Sequence, residues 1–150
     1  AFIHESLYRS KNFSHVDLAD YIDSLCRNLM MSYGPGDRVR LLRDLQPVQL
    51  GLDQAIPCGL IINELISNAL KHGFPGHAEG TISVGLGLQG DRVELRVSDD
   101  GCGMPKDFDM EQDANLGLQL VQTLTEQLDG NLTQQATEGA SYLITFDRIK

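Results

Sequence analysis

Hydrophobic and polar positions follow two periods along this chain, and the switches between them mark its elements. After Asp17, the apolar residues Leu18, Tyr21, Ile22, Leu25, Cys26, Leu29 and Met30 recur with the spacing of one α-helical face. Asp17 is suited to cap that helix and Gly34 to end it, ahead of a Pro35-Gly36-Asp37 turn. A shorter helical pattern covers residues 1–10, with Phe2, Ile3 and Leu7 on one side, and residues 11–15 break it. Val39–Leu45 and residues 48–50 read as strands. Asp53 opens a second long helix, with Pro57 in its first turns and Gly73 at its end. Residues 81–88 then alternate, Ile82, Val84, Leu86 and Leu88 against Ser83, Gly85 and Gly87. Residues 92–98 alternate again through Val93, Leu95 and Val97, and Gln89-Gly90-Asp91 joins the two as a hairpin. Residues 100–115 form a loop rich in Gly, Pro and Asp. Residues 116–129 predict a third helix with Leu116, Leu120, Val121, Leu124 and Leu128 inward and Gly130 at its C-terminus. A last hairpin pairs residues 132–136 with 141–146 around Glu138-Gly139. Hairpins interrupted by helices predict an α+β domain: a two-layer α/β sandwich with helices packed on one face of a mixed, mostly antiparallel sheet.

Composition narrows the class of partner. The 150 residues fit one domain, and 41% hydrophobic with 22% charged residues describes a globular chain. Twelve Lys and Arg against 21 Asp and Glu leave a net charge of -9. That balance argues against a nucleic-acid grip, which needs clustered cations, and against docking on anionic lipid. It leaves room for a small phosphorylated ligand held by backbone N–H groups. Cys26, Cys58 and Cys102 are odd in number and far apart, without a CxxC pair. They read as buried thiols in a reducing cytoplasm rather than as a disulfide framework or a zinc site. The apolar run at residues 60–62 is far short of the ~20 residues that span a bilayer. Residues 1–10 carry His4, Glu5 and Arg9, so they are not a signal peptide, and the Ala at position 1 points to a piece of a longer protein.

Three segments carry candidate chemistry. In the second helix Asn63, Glu64, Ser67, Asn68, Lys71 and His72 interleave with Ile61, Ile62, Leu65, Ile66, Ala69 and Leu70. At roughly 100° per residue, Glu64, Asn68 and Lys71 share one stripe, with His72 at its edge. Asn prefers caps and turns, so two in mid-helix after a carboxylate mark either a site or an ordinary polar face. As a site, the amide oxygen can ligate Mg²⁺ and the cations can reach a terminal phosphate. Next, the strand at residues 92–98 runs into Asp99-Asp100-Gly101-Cys102-Gly103-Met104. A carboxylate there can accept from an exocyclic amine, and alternate glycines let backbone approach a flat ligand. Finally, Asn115-Leu116-Gly117-Leu118 opens a helix, and helix N-termini attract phosphate.

In this order the three segments carry a resemblance. The stretch from Asn63 to His72 (NELISNALKH) resembles the N box of the ATPase superfamily shared by gyrase, Hsp90, MutL and the sensor histidine kinases. Asp99-x-Gly101-x-Gly103 resembles its first glycine box, and residues 116–121 (LGLQLV) its second. Residues 3–10 (IHESLYRS) are similar to the end of the helical hairpin in kinases with the second type of dimerisation and phosphoacceptor domain.

The resemblance implies a Bergerat-type ATP-binding fold at residues 13–150 and a stub of that hairpin at 1–12. It implies ATP and Mg²⁺ as ligands, with Asp99 accepting from the adenine amino group and Asn68 ligating Mg²⁺. Lys71 and His72 would lie near the terminal phosphates. Gly101, Gly103 and Met104 would shape the adenine pocket, and Leu116, Gly117 and Leu118 would approach the phosphates. Residues 106–115, with Asp107, Asp109, Glu111 and Asp113, would form the ATP lid. Glu64 matches a water-orienting carboxylate, and in a kinase both Mg²⁺ hydration and polarising the nucleophile stay open to it. The chain departs from the pattern at the second glycine box, where Ala114 or Asn115 stands in place of the leading glycine. His4 lies in the hairpin-end motif, not in an acceptor motif, so the acceptor His is expected outside this chain.

The implied function is the catalytic domain of a cytoplasmic, homodimeric two-component sensor histidine kinase. Its partners would be its own phosphoacceptor domain and a response-regulator receiver domain, with no nucleic acid or membrane contact. The rival readings are an anti-sigma-factor serine kinase and a non-catalytic nucleotide-binding or scaffolding module on the same fold.

Overall fold

The computed structural model describes residues 15–34, 38–73, 79–101, 116–136 and 139–149. The expected helix at residues 1–10 and most of the 100–115 loop lie outside them. A short strand β1 (Val16–Asp17) leads into helix α1 (Leu18–Tyr33). Strands β2 (Val39–Leu45) and β3 (Gln49–Leu50) follow, then helix α2 (Leu52–Asn68), which continues as a π-helical turn, Ala69–Gly73. Strands β4 (Gly80–Gln89) and β5 (Arg92–Asp99) precede helix α3 (Leu116–Gln127) and strands β6 (Asn131–Ala136) and β7 (Ala140–Asp147).

Local chemistry accounts for most boundaries. The Asp17 carboxylate accepts from the Asp20 N–H at 3.3 Å, satisfying one of the orphan donors of α1. Gly34 adopts the left-handed conformation (φ 56°) and donates to Met30 O at 3.0 Å. In α2, Gly51 is the N-cap and Asp53 sits one residue inside, in the first turn, where a carboxylate complements the helix dipole.

The main sheet runs β2-β4-β5-β7-β6, with β2 parallel to β4 and the other pairs antiparallel. This is the expected mixed, mostly antiparallel sheet. A separate antiparallel pair, β1 with β3, ties the start of α1 to the start of α2. Ile82, Val84 and Leu86 of β4, Val93, Leu95 and Val97 of β5, and Tyr142, Ile144 and Phe146 of β7 are buried on one face. Leu18, Ile22, Cys26, Ile61, Ile62 and Ile66 of the first two helices pack against that face, and α2 lies between α1 and α3.

Helix α3 departs from its sequence pattern. Leu116 and Leu120 point outward, 83% and 40% exposed, whereas Leu118, Val121, Leu124, Thr125 and Leu128 are buried. Leucines occupy both faces, and packing against α2 selects the phase that also buries Thr125. The Thr125 hydroxyl donates to Val121 O at 2.8 Å, so its burial leaves no polar atom unsatisfied. The chain then turns through Asp129, itself left-handed (φ 54°). Gly130 follows because a Cβ there would stand 2.5 Å from Thr145 O of β7.

Candidate functional site

Asp99 ends β5 on the face that carries the core side chains, in register with Ile82 of β4. Two backbone N–H groups orient its carboxylate: Gly101 donates at 2.9 Å and Ala140 at 3.5 Å. Both bonds fall on Oδ1, so among the described residues the second oxygen carries no hydrogen bond. Burial holds the Asp99 carboxyl above the ordinary carboxylate range, the two N–H bonds oppose that shift, and the Asp100 charge adds to it. Tyr142, buried on β7, is pushed up to about 12 by burial and by the Asp99 charge.

Gly139 makes this arrangement possible. A Cβ on Gly139 would run into the backbone of Asp99 and Asp100. The close approach brings the start of β7 against the end of β5, where the Ala140 N–H meets the carboxylate. Gly139, Ala140 and Tyr142 were not among the site residues expected from sequence. Their roles come from strand register, and only a glycine beside the hairpin turn hinted at them.

The other half of the site lies at the end of α2. Glu64 and Asn68 are half-buried on neighbouring turns, and Lys71 is exposed. The Asn68 Nδ2 is buried and finds no hydrogen-bond partner among the described residues. Ala69, the next residue, packs in a small apolar cluster with Val39 and Ile82. Since Ile82 is the register partner of Asp99, that cluster brings the end of α2 to the sheet end that holds the carboxylate.

Lys71 belongs to the π-helical turn that follows α2. Its ammonium stands 6.0 Å from the centre of the Tyr33 ring. His72 belongs to the same turn. Gly101 is described and donates to Asp99, while Gly103 and Met104 lie outside the described residues. At the start of α3, Leu116 is exposed and Gly117 half-buried. Leu118 is buried in the core, so its side chain packs inward.

The described residues fit a divalent cation bound mainly through a ligand's oxygens. Among them no group of three or more His, Cys, Asp or Glu gathers to hold a metal alone. The half-buried Asn68 amide, through its oxygen, and the half-buried Glu64 suit Mg²⁺, which keeps waters and shares phosphate oxygens.

Residues 53–150 match the family model described as histidine kinase-, DNA gyrase B- and HSP90-like ATPase. The chain belongs to that ATPase family. Every site residue above falls within the ATPase match. Residues 1–33, including α1 and Tyr33, match a second model, described as histidine kinase. The chain is 34% identical over 135 residues to the sensor histidine kinase PdtaS of Mycobacterium tuberculosis. That similarity covers 88% of this chain and 26% of the relative, so the chain spans about a quarter of its length. The serine-protein kinase RsbW of Listeria monocytogenes is 31% identical over 100 residues, covering 57% of this chain and 61% of the relative. In solved structures, the histidine kinase domain of the Erythrobacter litoralis blue-light-activated histidine kinase superposes with a TM-score of 0.86. At 21% identity over 97% of this chain and 70% of that one, it shares the fold of this ATPase.

Proposed function

We propose that this chain is the catalytic ATP-binding domain of a two-component sensor histidine kinase. It binds Mg·ATP and presents the γ-phosphate to a histidine on a dimerisation and phosphoacceptor domain, and a response-regulator receiver domain takes the phosphoryl group onward. The carrying observation is the Asp99 carboxylate, held at Oδ1 by two backbone N–H groups, with no hydrogen bond to its other oxygen among the described residues. That oxygen accepts from the adenine amino group. The Asn68 amide oxygen would ligate Mg²⁺, and Glu64 would orient a hydrating water or the nucleophile. Lys71 and His72 would lie near the terminal phosphates, which the start of α3 approaches at Leu116, Gly117 and Leu118. Gly103 and Met104 complete the adenine wall. When bound, Mg²⁺ supplies most of the charge neutralisation of the triphosphate. Catalysis is then positioning, as phosphoryl transfer generally requires.

The similarity to PdtaS and the histidine kinase match at residues 1–33 support this reading over a serine kinase. We assign residues 1–12 to the end of the phosphoacceptor hairpin and 13–150 to the ATP-binding unit, supported by the burial of α1 within the core. The full protein is a cytoplasmic homodimer in this reading; no described helix is long and apolar enough to cross a membrane.

Calorimetric titration of Mg·ADP into the wild type and Asp99→Asn tests the adenine assignment. The variant keeps an acceptor for Gly101 and Ala140 but turns a donor toward the adenine amine. Affinity falls about 10- to 100-fold, the range for losing a hydrogen bond to a charged group. Equal affinities reject the assignment.

A further inference from the structure

The ATP reading leaves unexplained why Lys71 sits beside an aromatic ring from another helix. Tyr21 of α1 packs directly over Gly59 of α2, where a Cβ would run into its ring. Twelve residues further along both helices, Lys71 meets Tyr33. The two helices therefore run side by side in the same direction, and the second meeting lies roughly 18 Å beyond the first. Lys71 lies in the π-turn Ala69–Gly73, and its ammonium stands 6.0 Å from the centre of the Tyr33 ring.

Tyr33 is itself held in position. It is the last residue of α1, and the Gly34 cap bonded to Met30 fixes the turn that carries it. The ring is 40% exposed, so core packing does not account for its position. A free lysine side chain samples many rotamers, and binding a phosphate freezes them. A ring face that attracts the ammonium restricts that freedom beforehand.

We infer that Tyr33 is a positioning residue for Lys71: its ring, carried by α1, pre-orients the ammonium that meets the terminal phosphates. This inference rests on the Mg·ATP reading above. It makes α1, which contributes no other residue to the site, the element that sets phosphate affinity.

Titrations of Mg·ATP and of AMP into the wild type, Tyr33→Leu, Tyr33→Phe, Lys71→Met and the Tyr33→Leu/Lys71→Met double variant test it. Tyr33→Leu weakens ATP about two- to five-fold, the strength of an exposed cation–ring contact, and leaves AMP unchanged. Tyr33→Phe, which keeps the ring, binds ATP as the wild type does. In the Lys71→Met background, Tyr33→Leu has no further effect. An equal loss for ATP and AMP, failure of Tyr33→Phe to restore affinity, or the same loss without Lys71 shows a packing role and overturns the inference. Unchanged ATP affinity in Tyr33→Leu also overturns it, with the nucleotide reading intact. A wild type that binds neither nucleotide overturns both.

Discussion

Asp99 and Tyr21 are each in a surrounding that costs stability, for different reasons. A carboxyl whose folded pKa is raised destabilises the fold when ionised. The cost is absent below the unfolded pKa, about 3.9, and grows as the pH rises through the higher folded value. Burial raises Asp99 in this way, so Asp99→Asn raises Tm at pH 7, and the gain shrinks as the pH falls toward 4. Thermal melts across that range check it, and a lower Tm at pH 7 contradicts it. The residue to which adenine recognition is assigned above thus weakens the empty fold. Tyr21 is buried with a hydroxyl that finds no partner among the described residues, and burial beside Cys58 pushes its pKa up to about 12. An unsatisfied buried hydroxyl costs of order 1 kcal/mol or more. Tyr21→Phe is therefore stabilising by about 1 kcal/mol, read as a higher urea midpoint at unchanged slope.

Helix α2 packs against α1 and α3 and ends in the site. Its contact with α1 depends on Gly59, where a Cβ would lie 2.5 Å from the Tyr21 hydroxyl and 2.6 Å from a ring carbon. Gly59→Ala therefore forces the helices apart and costs about 1–3 kcal/mol, measured by denaturant unfolding. The end of α2 responds in the opposite sense. Among the described residues Asn68 Nδ2 bonds nothing, so Asn68→Ala leaves Tm unchanged or higher while Mg²⁺-dependent ATP affinity is lost. A titration with and without Mg²⁺, paired with a melt, separates the two effects. Helices α1 and α2 and both hairpins were legible in the sequence because each buries one face at a regular period. The α3 phase was not: Leu116, Leu118 and Leu120 offer two faces, and contact with α2 decides between them. The π-turn was also hidden, because its residues carry an ordinary helical pattern.

At the scale of the molecule, the site is where α2, β5 and the start of β7 converge, each contributing few groups. The surrounding chain carries a net charge of -9, so in the proposed function bound Mg²⁺ rather than protein cations would offset the triphosphate. With a phosphoacceptor helical hairpin supplied in trans, this chain transfers label from [γ-³²P]ATP to that hairpin's histidine, and Asn68→Ala abolishes the transfer. Acid-labile counts on the hairpin check this; acid-stable counts on serine point instead to the chemistry of the serine kinase.

Local order in the sequence determined where helices and strands form and which residue types are on offer to a ligand. A helix or strand declares its buried face through its own period, and a carboxylate or amide declares its chemistry through its atoms. The tertiary structure decided which strand lies beside which, with β2 parallel to β4 and β1 paired with β3. It also decided which α3 face is inward, which N–H groups orient Asp99, and that Lys71 meets the Tyr33 ring. These depend on contacts between residues distant in sequence, and a local hydrophobic pattern specifies that a face is buried without specifying what buries it.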